Sequence, residues 1–214
     1  MRQYGTPKGA GQFFGYADVV FNVAMAAFAL KLWLYPTREA VPDILSLCFI
    51  AVVEFILLHS GTMMAFARGF SRWLPLVFVP LYGLFIWGFA VAGGGSYVVR
   101  LYCLVVFSRL AGAFFVTDER VLIRQFKCAF IQTFIYFFSV FPVVMLSDTG
   151  LIPRLGMTGE TLKAIGYDQA ARAAYGMLTE TPHITMCFFV LYSLGLAVFN
   201  FWVARNPRKL EKPM

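Results

Sequence analysis

Within the apolar stretch VVEFILLHSG, Glu54 and His59 supply a carboxylate and an imidazole. A third ionisable group, the guanidinium of Arg109, interrupts the apolar stretch VVFSRLAGA. A carboxylate can pair with a cation or take up a proton, and an imidazole changes charge near physiological pH. Ionisable groups at membrane depth cost about 2.5–3.5 kcal/mol on insertion scales, so they turn toward protein or water and find partners. The chemistry in prospect is therefore ion pairing, hydrogen bonding or proton movement inside an apolar surrounding.

Depth suggests the partners. With Ile44 and Val98 taken as boundaries of the hydrocarbon region, Glu54 and Arg109 both lie roughly 15–17 Å deep at about 1.5 Å per helical residue. The spacing predicts a buried ion pair between Glu54 and Arg109 at mid-bilayer. His59 follows Glu54 by five residues, about 140° around a helix axis, so the two leave on different faces. The segment that carries them must meet protein on two sides.

Asp18, Asn22, His59, Ser108 and Asn200 are candidates for a hydrogen-bonded network beside that pair. His59 and Asn200 fall about 22 Å from the outer side, and Asp18 roughly 7 Å from the inner end of its own segment. Through such a network His59 could couple a proton to movement of the helices or of a solute. The competing readings are a neutral histidine that donates to a carbonyl, and an ion pair that only sets helix register. Gly112 and Ala113 leave room beside Arg109, and Gly61 with Ala65 has the small-xxx-small spacing of closely approaching membrane helices.

Enzymatic constellations fare worse. Ser60 is adjacent to His59 but points about 100° away from it, and the other histidine, His183, belongs at the opposite boundary. Cys48, Cys103, Cys128 and Cys187 contain no C-x-x-C pair, and H-E-x-x-H is absent, so no metal site or cofactor is indicated. The run GGGS at Gly93–Ser96 reads as a tight turn rather than a phosphate cradle.

The elements that must position these groups are membrane helices. Of 214 residues, 60% are apolar and 14% charged, far from the soluble balance of about a quarter charged. Six segments approach the roughly 20 apolar residues that cross a bilayer core of about 30 Å: Phe13–Tyr35, Val41–Ala67, Leu74–Ala92, Tyr97–Val116, Val121–Leu146 and Ile184–Ala204. The expected fold is all-α: a polytopic transmembrane bundle of six spans forming a single domain over residues 1–214. Asp18 and Asn22 break the first apolar run, which argues against a cleaved signal peptide.

With the N-terminus inside, eleven of the 18 basic residues face the cytoplasm and six face outward, so the positive-inside bias puts both termini in the cytoplasm. The net charge of +7 then reflects this asymmetry and anionic lipid, not nucleic acid. Residues 147–183 form the one long connection, expected as an extracytoplasmic helical loop or cap. Trp33, Trp73 and Trp202 fall near boundaries, as interfacial anchors do. The phenylalanine-rich FIQTFIYFFSVFPVV reads as lipid-facing or core surface.

Two functions fit these features. One is an integral membrane subunit, or an assembly or scaffold component, of a larger membrane complex held by a buried polar network. The alternative is a small proton-linked transporter or ion-conducting channel subunit. Either expects the lipid bilayer of a bacterial inner membrane and other membrane subunits, or copies of the chain, as partners.

Overall fold

The computed structural model describes residues 8–71, 73–89, 119–172 and 177–206, together with Val91, Cys103, Val106, Phe107 and Leu210. Among the described residues every regular element is a helix. In chain order they are α1 (Lys8–Leu34), a 3-10 turn at Arg38–Ala40, α2 (Val41–Phe70), α3 (Pro75–Phe89) and α4 (Glu119–Met145). A second 3-10 turn (Ser147–Thr149), α5 (Gly159–Ala164), α6 (Tyr167–Arg172), α7 (Met177–Glu180) and α8 (Pro182–Arg205) follow.

The helix ends follow local chemistry. Pro42 and Pro182 occupy first-turn positions of α2 and α8, where a missing N–H leaves no bond unmade. Arg68 and Arg205 sit in the last turns of these helices, against the negative ends of the helix dipoles. α5 begins where the hydroxyl of Thr158 accepts the Thr161 N–H at 3.2 Å.

Four helices among the described residues are long and apolar enough to cross a membrane: Gly15–Leu34, Arg38–Phe70, Ile123–Met145 and Pro182–Arg205. The third expected span, Leu74–Ala92, corresponds to α3, an apolar helix of 15 residues, about 22 Å of rise against a core of about 30 Å. The fourth, Tyr97–Val116, lies outside the described residues except for Cys103, Val106 and Phe107.

The relative directions of the long helices can be read from side-chain pairs. Gly15 lies against Ala204, where an added Cβ would come within 2.9 Å of the alanine Cβ, and the rings of Tyr16 and Phe201 meet at 6.3 Å. α1 and α8 are thus antiparallel, and the start of α1 and the finish of α8 share one end of the bundle. Gly195 on α8 approaches α4 so closely that a Cβ would lie 2.7 Å from Ile135 Cγ2. Tyr136 on α4 meets Phe188 and Tyr192 at 5.1 and 5.5 Å. Cys48 and Thr185 share the Leu178 carbonyl and Glu54 pairs with Tyr192, whereas Ala51 pairs with Tyr136 and Thr62 with Thr133, so α4 and α8 are also antiparallel. α2 runs parallel to α8 and antiparallel to α4. If all four cross the membrane, α2 ends and α4 begins on the same side of it.

The main core fills the space among α1, α2, α4 and α8 and continues into the connection after α4. A smaller cluster joins Val53 and Ile56 of α2 to Ile86 of α3 and to Val106. α2 is therefore contacted on both sides, as the angular separation of Glu54 and His59 requires.

The connection from Ser147 to Thr181 folds down onto the bundle end where α1 finishes and α2 begins. Trp33 Nε1 donates to the Pro153 carbonyl at 3.1 Å, and the Gly156 N–H donates back to the Trp33 carbonyl at 3.1 Å. Trp33, expected as a lipid anchor, is instead buried, because its indole N–H is spent on this tether. Met157 is fully enclosed, and Tyr167 donates to the Thr179 carbonyl at 2.8 Å. The Leu178 carbonyl accepts from Cys48 Sγ at 3.1 Å and from Thr185 Oγ1 at 3.0 Å.

Candidate functional site

At the middle of the bundle α2, α4 and α8 exchange polar contacts. The phenol of Tyr192 on α8 donates to Glu54 Oε1 on α2 at 2.8 Å. One turn earlier on α2, the Ala51 carbonyl accepts the phenol of Tyr136 from α4 at 2.9 Å. Further along α2, the hydroxyls of Thr62 and Thr133 meet at 2.9 Å, and Thr133 also donates to the Ala129 carbonyl of its own helix. Buried polar groups in an apolar medium are costly unless bonded, and these contacts satisfy them while linking neighbouring helices.

Aromatic rings surround the bonded groups. Tyr136 and Tyr192 are both buried against Phe188, whose ring lies nearly parallel to that of Tyr192 at 5.4 Å and meets that of Tyr136 edge-on at 5.1 Å. Glu54 is half-buried, so its carboxylate lies at the edge of this aromatic core.

His59 leaves α2 on a different side, toward α4. Its ring lies 4.4 Å from that of Phe55 and 5.3 Å edge-on from that of Phe137. Its Nδ1 is enclosed and has no hydrogen-bond partner. The donor bond to a carbonyl expected of a bland histidine is thus not made by Nδ1.

The other candidates are more scattered. Asp18 is exposed on α1, and its backbone carbonyl accepts Asn22 Nδ2 at 2.7 Å, a bond along the same helix. The register set by Gly15 with Ala204 and Tyr16 with Phe201 brings Asn200, half-buried on α8, level with Asp18. Ser108 and Arg109 lie outside the described residues, and the expected Glu54–Arg109 pair lies outside them for that reason.

Tyr136 and Tyr192 had no place in the sequence reading, although the same depth counting would have found them. Tyr192 is eight residues from Ile184 and Tyr136 ten from Leu146, about 12 and 15 Å deep at 1.5 Å per residue. Glu54 lies at that level. The missed signal is a phenol in mid-span, which must find an acceptor.

The arrangement can hold three helices together, and it offers a carboxylate hydrogen-bonded to a phenol. Among the described residues no group of histidine, cysteine and carboxylate side chains could hold a metal ion. Comparison with known proteins finds no family model, no curated protein and no solved structure that matches this chain.

Proposed function

We propose that this chain is an integral membrane subunit, or an assembly or scaffold component, of a larger membrane protein complex, with buried polar groups that hold its helices in register. The observation that carries this reading is the bond from Tyr192 to Glu54. A carboxylate in the middle of an apolar helix is engaged by a neighbouring helix of the same chain. The Tyr136–Ala51 and Thr62–Thr133 bonds repeat the pattern between α4 and α2. Polar contacts of this kind specify helix pairing in lipid.

In this proposal the chain crosses the membrane six times, with α3 and the apolar segment Tyr97–Val116 as the two further crossings. Two crossings between α2 and α4 return the chain to the side on which α4 begins, as their antiparallel run requires. Both termini face the cytoplasm of a bacterial inner membrane, on the side where most basic residues gather. Arg109 then reaches the level of Glu54 and balances its charge. Exposed large apolar side chains on α3 and α4, such as Leu84, Trp87 and Phe138, face lipid, other subunits or further copies of the chain.

Extraction from native membranes in mild detergent, followed by mass and composition analysis, tests the reading. Stoichiometric unlike proteins are expected to accompany the chain. A second reading, a small proton-linked transporter or ion-conducting subunit, is favoured by His59 Nδ1, an enclosed titratable atom without a bond. It takes precedence if the purified chain alone supports pH-dependent flux in liposomes and Glu54→Gln or His59→Gln abolishes it.

A further inference from the structure

We propose that the groove between α4 and α8 binds one anionic glycerophospholipid, with an acyl chain in the groove and its phosphate held by Arg124 and Lys127 of α4 and Arg205 of α8. The groove has a volume of about 430 Å³, with Phe130, Phe134 and Phe138 as its wall and Ile131, Ile135 and Gly195 as its floor. Rings of the wall follow one another at 4.8 and 6.3 Å, forming a continuous aromatic ridge along α4. Gly195 lets α8 press against Ile135, where an added Cβ would come within 2.7 Å of the isoleucine Cγ2, so the two helices close the floor of the groove.

The chemistry of the lining selects hydrocarbon. Ser139 carries the only hydroxyl in it, and that hydroxyl donates to the Ile135 carbonyl of its own helix at 2.7 Å. The side chains around the groove therefore leave no hydroxyl seeking an outside partner, and an acyl chain fits without an unmet hydrogen bond.

Charge at one mouth of the groove selects the headgroup. Lys127 precedes Ile131 and Phe134 by four and seven residues, and Arg124 precedes Ile131 and Ile135 by seven and eleven, so both project from the groove side of α4. On α8 the exposed residues Leu191, Leu194, Val198 and Trp202 lead to exposed Arg205 along one face. Because α4 and α8 are antiparallel, all three cations gather at the same end, roughly 12–17 Å from the Gly195–Ile135 contact at 1.5 Å per residue. Trp202 lies one turn before Arg205, where an aromatic belt meets lipid headgroups. Three cations at the mouth favour an anionic headgroup over a zwitterionic one.

Native mass spectrometry of the delipidated full chain, titrated with dioleoyl phosphatidylglycerol or dioleoyl phosphatidylcholine, tests the site. One phosphatidylglycerol is expected to be retained in preference, with affinity falling roughly fivefold for each of Arg124→Gln, Lys127→Gln and Arg205→Gln. Ile131→Trp, which fills the groove from its floor, should release both lipids. Equal uptake of the two lipids by the unaltered chain overturns the proposal, as does unchanged affinity in a folded Ile131→Trp variant. Independently of any variant, phosphatidylglycerol with a photoreactive acyl chain should crosslink the unaltered chain within residues 130–139 and 191–198, and crosslinks confined to other helices overturn it.

Discussion

Tyr192 and Glu54 are joined across the α8–α2 interface by a 2.8 Å bond in which the phenol donates to the carboxylate. The tyrosine ring is at the same time part of the aromatic core with Tyr136 and Phe188. Removing the hydroxyl alone therefore isolates the polar contribution. Tyr192→Phe is expected to lower stability by about 1 kcal/mol, the scale of interhelical bonds in membranes. A double-mutant cycle with Glu54→Leu, which removes the acceptor, read by reversible unfolding in detergent, should return a coupling of that order, and strict additivity would show that the contact contributes nothing.

Tyr136→Phe should cost less than Tyr192→Phe. Its acceptor, the Ala51 carbonyl, lies inside α2 and keeps its own helical bond when the phenol is lost, so no buried group is orphaned. The same unfolding measurement ranks the two variants, and a larger loss for Tyr136→Phe contradicts this account.

Gly156 is the point where the connection touches α1. A Cβ there would meet the Leu34 carbonyl and the Pro36 ring, neither of which is a flexible side-chain end. Gly156→Ala should therefore lift the connection from the bundle and sharpen protease cleavage within residues 147–181. Gly159→Ala, where an added Cβ meets nothing within 4 Å, serves as the control and should cleave like the unaltered chain.

Burial pushes the Tyr167 phenol well above the ordinary tyrosine range, with the neighbouring Cys48 thiol adding to the rise. A raised pKa means that the neutral phenol is favoured in the folded chain, so its contribution is fully present below about pH 10, the unfolded value. Above that pH the unfolded chain ionises first and stability falls. Thermal unfolding between about pH 9 and 11 should decline less steeply in Tyr167→Phe than in the unaltered chain. The variant also gives up the bond to the Thr179 carbonyl, so it starts about 1 kcal/mol lower. Parallel declines in the two proteins exclude the effect.

The helical membrane class was legible in the sequence, because runs of some 20 apolar residues permit little else in a bilayer. Angular spacing also told in advance that α2 is contacted on two sides: Glu54 meets α8 and His59 meets α4. The two-fold demand on α2 follows from helix geometry alone, which local sequence encodes. The relative level of Asp18 and Asn200 along the bundle was legible too, since rise per residue is constant.

Which side chain meets which was not legible. Depth matching brings every polar group at one level into contention, and only the arrangement of helices around one another selects Tyr192 for Glu54 and Tyr136 for the Ala51 carbonyl. That arrangement depends on small residues such as Gly15 and Gly195, whose close contacts draw α1 and α4 against α8. Trp33 shows the same limit: its position marks a boundary in the sequence, but the fold of a connection 120 residues later buries it. By itself the sequence determined that the chain is helical, membrane-sized and polar at particular depths, because these properties are additive along one helix. The tertiary structure alone decided the partners, because partnership depends on the azimuth and separation of helices, which long-range packing sets.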